Sequence, residues 1–337
     1  MDKIEKSKST TVETTTVKKD NGTVSVKRIT VVEEVVIRPY GKHAGKTKFA
    51  ASVPRDRFGN VNGPEYDLSP DNAFKGQTVG ILMLYPRGGE TLTLNSPQAA
   101  LERKGFTVRI WTALPPPGEL LEGLRSCCQL WIISGATTSV TVQHIKVIQK
   151  LVDLGKGLFL WGDNDPYNGD ATAVLAGLRQ TAGASLSGNY LADKILTENP
   201  APGRRGGGGG GFSQHLVLTG IVSLYEGITI AAVRDAAGAL APLVRSSDGQ
   251  VVTACYDAGG ARVLVDGGFT RLCEDRWGRT AGTARFVTNA ACWLYNYEGR
   301  AARAAPAVAA APAAAAAGYK TRLCVNFAGG GCQYLVG

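Results

Sequence analysis

The chain has 337 residues, 44% of them hydrophobic, and a formal net charge of +9, which is enough for one large or two ordinary domains with a sizeable core. No apolar run approaches the ~20 residues of a membrane span, and Met1-Asp2-Lys3-Ile4-Glu5-Lys6 lacks the apolar centre of a secretory signal. No membrane partner and an intracellular place, in cytoplasm, nucleus or cilium, are therefore expected.

The charge is unevenly spread. Residues 1–50 carry a net +5 and residues 300–337 a net +4, so residues 51–299 carry none. Long-range attraction for a polyanion belongs to the two ends rather than to the body. The seven cysteines, an odd number mostly inside apolar segments, suit a reducing compartment.

Residues 1–50 alternate Thr and Val with charge on both sides of Asp20-Asn21-Gly22, the pattern of a β-hairpin. Its apolar positions offer only Val and Ile, and a lone two-stranded ribbon is marginal in water. A flexible basic tail and a ribbon ordered by a partner both remain open. Residues 51–75, rich in Pro, Asn, Asp and Gly, read as a linker lying along the body.

The body spans 76–298. Val79 to Tyr85 reads as a buried strand, Ser96-Pro97 opens a helix with Ser as N-cap, and Gly105 ends it. Thr107 to Trp111 is a second strand, Gly118 to Ser126 a helix, and Gln129 to Ile133 a third strand. Val142 to Leu154 is a helix with Ile145, Ile148, Leu151 and Val152 at helical spacing, and Leu158 to Trp161 is a fourth strand. A further helix is expected over Ala171–Ala182. Strands Val251–Tyr256 and Arg262–Asp266 flank a turn at Asp257 to Gly260, and a last helix covers Thr283–Tyr297. This alternation, with continuous apolar strands and short connections, predicts an α/β fold with a doubly wound, mostly parallel sheet of the flavodoxin-like kind and flexible tails at both ends. The glycine run within 200–212 reads as a surface insertion, because Pro200 and Pro202 precede it where a phosphate loop needs a strand. Residues 299–318 form an Ala/Pro linker.

The stretch Gly157 to Pro166 organises the rest. Its apolar strand stops at Gly162 and delivers Asp163-Asn164-Asp165 to the carboxyl edge of the sheet, where open α/β sheets bind ligands. Asp163 and Asp165 are candidates for a carboxylate pair, as general base or magnesium ligands, and Asp266 could approach from the last strand. The competing reading is that Asp163 and Asn164 cap the following helix while Asp165-Pro166 makes the turn; it weighs more, because acid–base chemistry needs a partner that one sequence does not position. Arg271, Asp275, Arg276 and Trp277 read as an ion-paired loop over the sheet edge. Cys273 has no neighbouring base to activate it, and His144 and His215 read as structural or surface residues.

The order of elements from Thr78 to Tyr297, with the elbow at Gly157 to Pro166 and the segment holding His215 before the last strands, resembles the class I glutamine amidotransferase-like fold. Catalytic members carry Gly-x-Cys-x-Gly at the elbow and a His near a Glu after a late strand. Here the elbow reads Gly162-Asp163-Asn164-Asp165-Pro166, and His215 is followed by Leu216 and Val217. The resemblance therefore implies a non-catalytic relative, such as the amidotransferase-like domain of an intraflagellar transport subunit, which serves as a binding scaffold.

Residues 319–337 resemble the first half of a CCCH zinc finger, with Tyr319-Lys320-Thr321 leading to Cys324, Phe327 three residues on, and then Cys332. The resemblance implies Cys324 and Cys332 as zinc ligands, and single-stranded RNA stacked on Tyr319, Phe327 and Tyr334 beside Lys320 and Arg322. Two thiolates alone do not close a tetrahedral site, so either the finger is cut short or another chain completes it.

Together these readings predict a non-enzymatic binding or scaffold protein with RNA and protein partners at its ends. The alternatives are a hydrolase using Asp163 and Asp165, or a filament or axoneme component that assembles through its N-terminal ribbon.

Overall fold

The computed structural model describes residues 4–19, 22–37, 52–85, 92–198 and 211–297. The Ala/Pro linker, all seven residues assigned to zinc or RNA, and nearly all of the glycine-rich insertion lie outside them. At the N-terminus, β1 (Ile4–Lys19) and β2 (Gly22–Ile37) pair antiparallel from Ile4↔Ile37 to Lys19↔Gly22.

In the body, β3 (Thr78–Met83), α1 (Asn95–Arg103), β4 (Thr107–Trp111), α2 (Pro117–Arg125), β5 (Cys127–Ile133), α3 (Val142–Asp153), β6 (Gly157–Trp161) and α4 (Gly169–Gly177) alternate as strand and helix. Next come β7 (Ala184–Leu191), β8 (Ile195–Thr197), β9 (Gly211–Phe212), β10 (Ser223–Tyr225), β11 (Thr229–Asp235), β12 (Ala241–Arg245), β13 (Val251–Ala258) and β14 (Ala261–Asp266). The short α5 (Glu274–Trp277) and the long α6 (Ala281–Leu294) close the domain. The main sheet has eight strands in the order β4-β3-β5-β6-β14-β13-β12-β9. The first five run parallel, and β13, β12 and β9 extend the sheet antiparallel. Two antiparallel pairs, β7 with β11 and β8 with β10, stand beside it.

Both faces of the parallel part are covered, which explains why its strands read as unbroken apolar runs. Leu130 and Ile132 of β5, with Leu158 and Leu160 of β6, pack with residues of α2, α3 and α4. Trp131 and Ile133, with Phe159 and Trp161, face the other way toward Leu101 of α1 and Phe286 of α6. Helices thus lie on both sides, and the doubly wound α/β expectation holds.

Residues 52–75, which fall within the stretch 51–75 read from the sequence as a linker along the body, are packed into it. Leu68 and Phe74 are buried, with the Phe74 ring stacked 4.2 Å from Phe106. Asn60 accepts from Ser223 N at 2.9 Å and donates to Thr280 Oγ1, joining this segment to β10 and to the start of α6. The N-cap expected at Ser96 is also displaced. The first helix starts two residues earlier, at Asn95 with Leu94 as its cap, and the Ser96 amide and hydroxyl both donate to Glu274 of α5. A hydroxyl offered a nearby carboxylate is bound there rather than by its own helix. Gly105 ends the helix as expected, at φ +95, and a Cβ added there would crowd the Asn72 backbone at 3.0 Å.

Candidate functional site

The carboxyl ends of β6 and β14 are stitched together by main chain. Gly162 N donates to Asp266 O at 2.8 Å, and Phe269 N donates to Gly162 O at 3.0 Å. A Cβ on Gly162 would stand 2.5 Å from Leu186 Cδ1, so the elbow needs glycine because of close approach. The next side chain, Asp163, is buried at the centre of the edge. Its Oδ1 accepts from Asn164 N at 2.8 Å and Thr229 Oγ1 at 2.9 Å, and its Oδ2 accepts from Thr270 N at 3.2 Å. Burial pushes the carboxyl up to about 7, against the opposing pull of those donors.

Around it stand Tyr85 from the end of β3, Tyr167, Phe269 and Cys273. Tyr85 packs 5.4 Å from Tyr167 and 5.1 Å from Phe269, centroid to centroid. Burial pushes the Tyr85 phenol up, and Tyr167, Cys273 and Asp163 add to that. Burial, helped by Asp275 and Asp163, pushes the Cys273 thiol up to about 11, so it is no thiolate at neutral pH. The edge thus gathers a carboxyl, a thiol and the Tyr85 phenol in surroundings that disfavour negative charge.

The expected carboxylate pair does not converge. Asp165 is exposed and bound elsewhere: Oδ1 accepts from Asn168 Nδ2 at 2.6 Å and Oδ2 from Gly188 N at 3.0 Å. The cause is β7, a strand the sequence reading did not foresee, whose Gly188 takes both the backbone and the side chain of Asp165. The capping reading also changes, since Asn168 occupies the N-cap of α4 and Asp163 turns toward Thr229 and Thr270. Asp170 in the first turn of α4 instead accepts from Gly135, Ser139 and Val140 main-chain N–H groups at 3.2, 2.7 and 2.9 Å.

Asp266 is fully buried and accepts from Thr253 Oγ1 at 2.6 Å and Gly268 N at 2.9 Å. Burial raises its pKa while Arg271, 3.3 Å away, opposes that. Arg271, read from the sequence as part of an ion-paired loop over the sheet edge, is fully enclosed and also donates to Gly268 O and Glu226 O. These two residues brace the turn after β14. His215 is not part of the constellation. It accepts from Val217 N at 3.2 Å, sits 3.9 Å from Cys255 Sγ and packs edge-on to Trp293 at 5.1 Å. Burial drives its pKa down to about 4, which makes it a neutral core imidazole. His144 bridges Thr141 and Pro115 O at the start of α3.

Sequence reasoning missed Thr229, Thr270, Tyr85 and Tyr167, each an isolated residue reaching the edge through tertiary packing. Among the described residues no group of three or more His, Cys, Asp or Glu is placed to hold a metal ion, and no helix is long and apolar enough to cross a membrane.

No protein-family model matches the chain, and no curated protein sequence does. Among solved structures, a ThuA-like protein from Parabacteroides merdae is similar at 10% identity over 66% of this chain and 91% of its own, with a TM-score of 0.44. A GMP synthase component from Thermoplasma acidophilum is similar at 10% identity over 67% of this chain and 98% of its own, with a TM-score of 0.40. Likeness this distant identifies no family, and the α/β assignment rests on the strand order itself.

Proposed function

We propose that the body is a non-enzymatic binding domain on an amidotransferase-like frame. One observation carries this reading: Asn164 stands where a Gly-x-Cys-x-Gly elbow would place its nucleophile, and the oxygens of Asp163 beside it are occupied by Asn164, Thr229 and Thr270. A group so enclosed braces the edge and is poorly placed to attack a substrate. His215 has other partners, on β13 and α6, and supplies no general base at the elbow. Turnover of glutamine and of p-nitrophenyl esters by the full chain is the test. Background rates are expected, whereas turnover that Asp163→Asn abolishes while the variant still unfolds cooperatively would sink the reading.

A second reading is favoured by the Asp163 carboxyl itself, which at about 7 would serve as a general acid or base near neutral pH. It requires a hydrolytic rate with an inflection near pH 7 that Asp163→Asn removes.

The scaffold reading extends to the ends of the chain. The ribbon of β1 and β2 offers its outer edges for strand addition to a second protein or copy, including in a filament; assembly unchanged on deleting residues 1–50 would rule that out. Residues 319–337 are assigned single-stranded RNA, with Cys324 and Cys332 as half of a zinc site. Salt-sensitive RNA binding should then disappear when they are removed.

A further inference from the structure

Between the turn at residues 56–58 and the junction of α5 with α6 lies a cleft of about 380 Å³, within the range of roughly 300–1,000 Å³ usual for small-molecule sites. Phe58, Trp277, Arg57 and Arg279 line it, together with Ala281 and Ala284 of α6. One wall is fixed by Asp56, which accepts from Phe58 N at 2.9 Å, Asn60 N at 2.8 Å and Ala281 N at 3.1 Å. These bonds tie the turn to the first turn of α6 and occupy the only carboxylate in the lining.

The cations are differently placed. The Arg57 guanidinium lies 4.6 Å from the Phe58 ring centroid and pairs with no carboxylate among the described residues. Arg279 sits 5.1 Å from the Tyr225 centroid with a long 3.7 Å contact to Asp193, leaving it partly available. Two half-buried aromatic side chains, two guanidinium groups and two alanines in one lining suit a flat ring bearing negative charge. The rings supply stacking and the arginines the counter-charge.

We propose that this cleft binds a small planar aromatic anion, either a nucleoside monophosphate or an aryl carboxylate, stacked against Phe58 and Trp277 with its charge met by Arg57 and Arg279. The site involves none of the residues around Asp163, so it stands whether or not that carboxyl takes part in catalysis.

Calorimetric titration of the full chain with 5′-AMP, indole-3-carboxylate, adenosine and ribose 5-phosphate tests this. At least one of the two aromatic anions should saturate the protein, with adenosine and ribose 5-phosphate roughly tenfold or more weaker, since each keeps only half of the recognition. Saturation by AMP alone assigns a nucleotide, and by indole-3-carboxylate alone an aryl acid. Trp277→Ala and Arg57→Ala should each weaken binding roughly fivefold or more. Ala284→Leu, which fills the cleft without removing a wall, should abolish binding while the melting temperature stays put. No saturation by either anion at millimolar concentration, or saturation indifferent to all three variants, overturns the proposal.

Discussion

Lys104 Nζ lies 2.8 Å from Asp67 Oδ2, and water reaches neither side chain to any extent. The other oxygen of Asp67 takes Arg285 Nε at 2.7 Å. One carboxylate therefore joins the end of α1 to α6 through the segment that precedes β3. Lys104 also donates to Ser69 O and Asp71 Oδ1, and Arg285 to Val61 O, Gly220 O and Gly63 O, so Lys104 uses all three of its N–H groups and Arg285 four of its five. Removing one partner of such a pair leaves an uncompensated buried charge, at about 3–5 kcal/mol. Asp67→Ala should lower the unfolding free energy by that amount, read from the urea midpoint at unchanged slope. Deleting Asp71, which is one-third exposed, should cost much less.

Asp170 makes a similar prediction for the loop after β5. Its carboxylate takes three main-chain N–H groups, from Gly135, Ser139 and Val140, and buried donors left without an acceptor cost about 1–3 kcal/mol each. Asp170→Ala should destabilise the domain by a few kcal/mol. Amide exchange should accelerate at Ser139 and Val140 more than across β6; uniform acceleration would mean that Asp170 does not hold this loop.

Two glycines offer opposite outcomes from the same substitution. A Cβ on Gly157 would stand 2.6 Å from both Leu294 Cβ and Leu294 O, so α6 would have to retreat from the sheet. Overpacking of this kind costs about 1–3 kcal/mol, and Gly157→Ala should lower the melting temperature by several degrees. Gly118, in the first turn of α2, has nothing within 4 Å of the added methyl. Gly118→Ala should raise stability by about 0.5–1 kcal/mol. A calorimetric scan of both variants checks the pair, and equal shifts would contradict the tight contact of β6 with α6.

What was legible in the sequence follows from what each element depends on. The parallel strands and their helices were visible because burial on both faces demands continuous apolar strands, as in Leu158 to Trp161, and because glycines such as Gly105 punctuate them. By contrast, β7 reads Ala-Ser-Leu-Ser-Gly-Asn-Tyr-Leu, a half-polar run with no strong period, and its pairing with β11 is a long-range fact. Missing β7 led to the misplacement of Asp165, because Gly188 is what binds it. The position of Asp163 at the sheet edge was readable from the elbow. Its partners Thr229 and Thr270 were not, since each is a lone threonine more than 60 residues away in sequence.

The Asp163 carboxyl gives the last prediction, through the pH dependence of folding. Its pKa in the folded chain is about 7, above the value of about 4 in an unfolded chain, because burial penalises the charged form more than its three donors favour it. Between these two values the folded state retains a proton that the unfolded state has released. Stability must then fall as pH rises from about 4 to about 7, and this group adds no further change above that. The loss across the window is on the order of 4 kcal/mol. Asp163→Asn cannot titrate, and it leaves donors competing for one oxygen, so it should start with a constant penalty. As pH rises through the window, the gap between wild type and variant should narrow, because only the wild type is losing stability. Urea unfolding of both proteins at half-unit steps from pH 4 to pH 8 measures that gap. A gap that stays constant would mean that the Asp163 carboxyl ionises at its ordinary pH, with its donors outweighing its burial.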